Sequence, residues 1–220
     1  MSNNIKKPVA NIRKSVSSDN RKFYALIILA FILWFVSFGL RWFNFWVSMP
    51  TSVAIIALLA WDSSKPLIPA QERLWQEALW GLGCAAFLYL TFFIGNQVAG
   101  LLFDFAPAQV KSIYALQEQV PTWLIVLILI FVTSPGEEIF WRGFVQRNLT
   151  ARLGNIKGWL LAAILYAAVH IASLNFILVM AALVAGLIWG LLFMYRKSLS
   201  AVIISHIVWV ILVFIIAPIT

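Results

Sequence analysis

Apolar runs long enough to cross a lipid bilayer recur along nearly the whole chain, and that repetition narrows the fold more than any other feature. A hydrocarbon core ~30 Å thick is spanned by about 17–25 apolar residues in an α-helix. The runs fall at residues 23–40, 44–61, 78–103, 122–141, 159–174, 176–195 and 198–217. They read as about seven transmembrane helices in an all-α, polytopic membrane helical bundle. Composition agrees: 63% of the 220 residues are hydrophobic and only 11% are charged, whereas a soluble domain is roughly half apolar.

The net charge of +8 suits either nucleic acid or a membrane surface, and its distribution decides between them. Lys6, Lys7, Arg13, Lys14, Arg21 and Lys22 precede the first run. With the N-terminus cytoplasmic, seven alternating spans place Lys65, Arg73, Arg142, Arg147, Arg152, Lys157, Arg196 and Lys197 on the same side. Only Arg41 and Lys111 fall outside. Fourteen of the sixteen basic residues then obey the positive-inside rule, and no nucleic-acid partner is required. The expected location is a bacterial cytoplasmic membrane, with the N-terminus inside and the C-terminus outside. No small-residue cleavage pattern follows Phe38-Gly39-Leu40, so the first run reads as an uncleaved span rather than a signal peptide. Cys84 is the single cysteine, which excludes an intramolecular disulfide or a thiolate cluster.

Three regions follow from this pattern: a flexible cytoplasmic tail at 1–22, N-terminal spans and an external loop at 23–121, and a transmembrane core at 122–220, to which the motifs below give the catalytic role. The connection 62–77 is expected to end in an interfacial helix containing Trp75. In the external loop 104–121, Val110, Ile113, Tyr114 and Leu116 suit a short amphipathic helix on the membrane surface. Trp42, Trp46 and Trp123 near one boundary, with Trp61, Trp75, Trp141 and Trp159 near the other, have the distribution of aromatic belts.

Against this apolar background Glu137-Glu138-Ile139-Phe140-Trp141-Arg142 stands out. An ionised group at bilayer depth costs several kcal/mol unless paired or wetted, so intramembrane charge is a functional-site hypothesis by default. Ser134-Pro135-Gly136-Glu137 has the pattern of a helix start, with Ser as N-cap, Pro at the first position and Glu completing a capping box. A proline kink in a continuous helix is the competing reading. Glu138 and Arg142, four apart, share a helix face and suit a bidentate pair. Glu137 points about 100° away and is the carboxylate left free to act on water. The alternative is one Arg-centred network that only locks helices together.

The two histidines of the chain, His170 and His206, lie on two further spans. Counted at ~1.5 Å per residue from the cytoplasmic ends, His206 is about 12 Å deep, His170 about 17 Å and Glu137 about 6 Å, which points to a site near the cytoplasmic side. Glu137, His170 and His206 would equally suit a divalent metal such as zinc, with three ligands and one water. The chain has no His-Glu-x-x-His and no Gly-x-Ser-x-Gly, which argues against those protease chemistries.

Glu-Glu-x-x-x-Arg at 137–142, an aromatic-x-x-x-His at Tyr166 and His170, and a later His206 resemble the CAAX prenyl protease and bacteriocin-processing (abortive-infection) family of intramembrane proteases. The resemblance covers roughly residues 120–217. Tyr166 stands where Phe is usual, and Val210 where the family often has Asn or Asp. The resemblance implies Glu137 as general base and His170 as its partner in holding water, with Glu138 and Arg142 in the same motif. His206 would be an oxyanion donor or metal ligand. Val210 cannot serve as the second oxyanion donor, and Asn175 is one substitute. The expected function is an intramembrane endopeptidase acting on a membrane-associated peptide or protein substrate, with membrane lipid as its surroundings. A non-catalytic scaffold or a small ion-coupled transporter is the other class.

Overall fold

The computed structural model describes residues 6–40, 42–63 and 74–219, with side chains from residue 20 onward except Ser63. The expectations for Arg41, Lys65, Arg73 and most of the 62–77 connection lie outside the described residues. Among those described there are eight helices: α1 (Lys6–Trp34, continued by a π-helical turn Phe35–Leu40), α2 (Phe45–Ala60), α3 (Leu74–Leu102), α4 (Ala106–Tyr114), α5 (Thr122–Leu153), α6 (Asn155–Ser173), α7 (Phe176–Arg196) and α8 (Leu199–Ile216). Six of these are long and apolar enough to cross a membrane, the α1 segment being Asn20–Leu40. With its six apolar spans the chain is an integral, multi-pass membrane protein. Helix α2 has 16 residues, a rise of ~24 Å, and packs beside α1 as the short seventh member.

Short turns make the last four helices sequential neighbours. Gly154, at φ 82°, joins α5 to α6 in a conformation open to glycine at no steric cost. Leu174 and Lys197 take the left-handed region at φ 54° and end α6 and α7. Asn175 then caps α7 by accepting from Leu178 N at 2.9 Å, and Ser198 caps α8. Where α5 and α6 meet, Gly158 lies directly against the Thr150 backbone, leaving no room for a Cβ.

The bundle has two distinguishable ends. At one, the Arg152 guanidinium sits 4.6 Å from the centre of the Phe23 ring and Arg196 pairs with Glu77 at 2.6 Å, so the start of the Asn20–Leu40 span and the start of α3 meet the ends of α5 and α7. At the other, Trp46 donates to Leu116 O at 2.7 Å, Asn175 to Gln109 O at 2.9 Å and Tyr114 to Val213 O at 2.7 Å. Gln117 also donates to Phe214 O.

Helix α5 is the axis of the bundle and departs from the sequence reading in two ways. It runs unbroken from Thr122 to Leu153, so Arg142 lies inside the span, 2% exposed, rather than beyond its cytoplasmic end. Ser134 is helical, at φ −63° and ψ −48°, so the capping-box reading is overturned. Proline lacks the amide hydrogen and its ring crowds the preceding turn; here the turn Leu129–Thr133 widens to π-helix, with Ser134 N bonding to Leu129 O. Such single-turn π-bulges are a usual response within an α-helix.

Packing also reassigns several aromatic residues. Trp42, Trp61, Trp75 and Trp123 are exposed, as belt residues would be, but Trp141 is 1% exposed and belongs to the core. Trp46 is buried. Trp159 donates to Leu187 O at 2.9 Å within the bundle. Trp75 sits in the first turn of α3. Helix α4 does form where an amphipathic helix was expected, and Val110, Ile113 and Tyr114, with Leu116 just after it, line a cavity in the bundle.

Candidate active site

Pairing, not exposure, explains why the charged residues of α5 are tolerated. Glu138 is 0% exposed and Glu137 4%, and unpaired charges at such sites would be strongly unfavourable. Arg142 Nη1 donates to Glu138 Oε1 at 3.0 Å, and His206 Nδ1 lies 2.8 Å from the same oxygen. The expected bidentate pair is therefore not formed. Winding over Ile139–Gln146 is π-helical, which turns Arg142 away from a fork-on-fork approach, and its Nη2 reaches Gly186 O at 3.5 Å instead. The guanidinium also sits 4.8 Å from the Tyr166 ring centre and 5.4 Å from that of Trp189. Trp189 in turn stacks on His206 at 4.0 Å. Glu138, Arg142 and His206 thus form one buried cluster across α5, α7 and α8.

Glu137 belongs to a different arrangement, as the one-residue offset on α5 requires. Its Oε2 accepts from Tyr166 Oη at 2.7 Å. His170, four residues beyond Tyr166 on α6, places Nδ1 2.7 Å from Tyr166 O. A carbonyl only accepts, so the proton is on Nδ1 and Nε2 is the acceptor nitrogen. Trp34 Nε1 approaches that Nε2 at 3.4 Å, and the Phe38 ring lies 5.7 Å from the imidazole.

Glu137, His170 and His206 all line one cavity of about 420 Å³, whose walls are otherwise mainly aromatic and aliphatic. Its other polar wall residues include Thr91, Asn96, Tyr114 and Thr133. Thr91 donates to Phe87 O at 2.8 Å and Tyr114 is engaged by Val213, whereas the Thr133 hydroxyl has no hydrogen-bond partner among the described residues. Thr133 precedes Glu137 by four residues and so shares its face of α5.

The structure redistributes several residues that the sequence left open. Asn175 is not a cavity residue: its oxygen caps α7 and its amide is held by Gln109 O and Ser112 Oγ. Val210 does line the cavity, as an apolar wall. Trp34 and Thr133 were missed by sequence reasoning. Trp34 resembled any span aromatic, and Thr133 could be linked to Glu137 only by its helical spacing. Among the described residues no group of three or more His, Cys, Asp or Glu side chains is arranged to hold a metal. His206 Nδ1 faces Glu138, and the two ring nitrogens of His170 face Tyr166 O and Trp34.

The cavity extends from Glu137 and His206 toward α4 and Ile219, away from the end carrying Arg152 and Arg196. Residues 119–212 match the family described as type II CAAX prenyl endopeptidase Rce1-like. This is the family that the Glu-Glu-x-x-x-Arg and histidine motifs resemble. The match covers somewhat less than half the chain but contains all five charged and imidazole residues discussed above. No curated protein and no solved structure matches the chain.

Proposed function

We propose that the protein is an intramembrane endopeptidase that hydrolyses a membrane-associated peptide through water activated by Glu137. The observation that carries this reading is the arrival of Glu137, His170 and His206, from three helices, at the wall of one cavity. The Rce1-like match of the region supports the reaction class.

The geometry suits a division of labour. Tyr166 occupies Glu137 Oε2, leaving Oε1 to accept a proton from water. His170 borders the same water; its one acceptor lone pair, on Nε2, is engaged by Trp34 at 3.4 Å and accepts from the water where that long contact gives way. A general base contributes about 10²–10⁴-fold to such a step. Glu138 and Arg142 do not line the cavity; they hold the Nδ1 side of His206, so that Nε2 is the edge turned to substrate. Hydrolysis passes through a tetrahedral oxyanion, which is stabilised by donors already in place. As the imidazolium, His206 gives its Nδ1–H to Glu138 Oε1 at 2.8 Å and supplies one such donor through Nε2–H. The antiparallel packing of α5 on α8, registered by the Glu138–His206 contact, brings Thr133 level with Val210, where its hydroxyl supplies the second. Water activation of this kind needs no metal.

The test is cleavage of a membrane-anchored reporter peptide by purified protein in proteoliposomes, with products identified by mass and the reaction repeated with a chelator. Cleavage that survives the chelator is expected. Ion movement without cleavage would favour a transporter instead. Within this assay Thr133→Val is expected to lower kcat by about 10²-fold, the low end for one oxyanion donor, with KM unchanged. Thr133→Ser is expected to retain most of the rate, and equal activity of wild type and Thr133→Val removes Thr133 from the site.

A further inference from the structure

The cavity is displaced toward one end of the bundle, and the charge pattern identifies the side of the membrane on which that end lies. From α2 it takes Phe45, Trp46, Met49 and Pro50, and from α7 the residues between Ile177 and Val184; both sets belong to the half nearer α4. On the other side of Glu137 the interior is solid. Phe140, Trp141, Phe144 and Trp189 are each no more than 2% exposed, and Gln146 Nε2 donates to Gly190 O at 2.8 Å. Packed aromatic rings therefore separate Glu137 from that end, whereas the cavity reaches the half of the bundle that α4 covers.

The two ends differ sharply in charge. Beyond the aromatic layer lie Arg147, Arg152, Lys157, Arg196 and Lys197, with Asp62 and Glu77 the acidic residues described there. The cavity end carries Lys111 against Asp104 and Glu118. Basic residues concentrate in the cytoplasmic loops of membrane proteins, so the solid end is cytoplasmic and the cavity end is not. We propose that the site is loaded from the extracytoplasmic side, and that its substrate is an apolar peptide segment displayed at or anchored in the outer leaflet. The substrate part of this statement rests on the peptidase reading; the sidedness does not. The apolar walls suit such a segment, since a charged peptide entering them loses its hydration without compensating partners. This places the cut on the side opposite to the one that depth counting along the sequence suggests.

Single-cysteine accessibility tests the claim. In a Cys84→Ala background, Ala108→Cys on exposed α4, Ile113→Cys in the cavity wall and Asn155→Cys at the exposed α5–α6 turn are treated in intact cells with a membrane-impermeant maleimide. Ala108→Cys and Ile113→Cys are expected to label, and Asn155→Cys only after permeabilisation. In right-side-out vesicles the Ile113→Cys adduct is expected to stop cleavage of reporter peptide added outside. Labelling of Asn155→Cys from outside, or silence of Ala108→Cys until the membrane is opened, overturns the assignment. Labelling needs no catalysis, so the expected pattern without cleavage by the unlabelled protein from either face would defeat the peptidase reading and leave the sidedness standing.

Discussion

Glu137→Gln is expected to reduce peptide cleavage by about 10²–10⁴-fold, the contribution of a positioned general base, while leaving the helical bundle folded. Glutamine is nearly isosteric and its carbonyl still accepts the Tyr166 hydroxyl, which is bonded to Glu137 at 2.7 Å. What it cannot do is take a proton from water. Initial rates in proteoliposomes, together with the elution profile and thermal midpoint of the purified variant, separate chemistry from folding. Retention of more than a tenth of the wild-type rate would mean that water is activated elsewhere, and the assignment of Glu137 would fail.

The second large effect concerns folding. Arg142 and Glu138 are 2% and 0% exposed, and removal of one partner from an isolated buried pair costs about 3–5 kcal/mol because the other charge is left uncompensated; here His206 stays on Glu138 Oε1 at 2.8 Å and offsets part of that cost. Arg142→Met keeps the length and apolar stem of the side chain but removes the cation. It is expected to lower the yield and thermal midpoint of the solubilised protein by far more than Thr133→Val does. Adding Glu138→Gln to Arg142→Met removes the stranded carboxylate, and the double variant is expected to recover a substantial part of the lost stability. If the double variant is less stable than Arg142→Met alone, the cost arises from lost contacts with Gly186, Tyr166 and Trp189, not from stranded charge.

Together these variants separate two roles that adjacent residues on one helix perform. Glu137 faces the cavity and Glu138 faces α8, because successive residues on a helix point about 100° apart. That division was legible in the sequence, as was the pairing of Glu138 with Arg142. The participation of His206 in the same cluster was not, since nothing local reveals which face of α8 meets α5.

Asn175 shows the same limit from the other side. Read along the chain, it was a polar residue near the end of a span and therefore a possible oxyanion donor. In three dimensions its amide and carbonyl are consumed by Gln109, Ser112 and Leu178, which fixes α4 to the start of α7. Thr133 had no sequence motif to mark it, and became visible only when the cavity wall was defined.

The sequence by itself determined that this protein is a membrane-embedded helical bundle, because stretches of apolar residues of spanning length admit little else. It also determined which groups are chemically exceptional, because charge and imidazole are conspicuous where each carries a desolvation cost. Only the tertiary structure decided which of them share a cavity, which are held behind it, and toward which end the cavity extends. Those outcomes depend on helix rotation and register, which are set by packing between residues far apart in the chain, such as Glu138 with His206 and Tyr166 with Glu137.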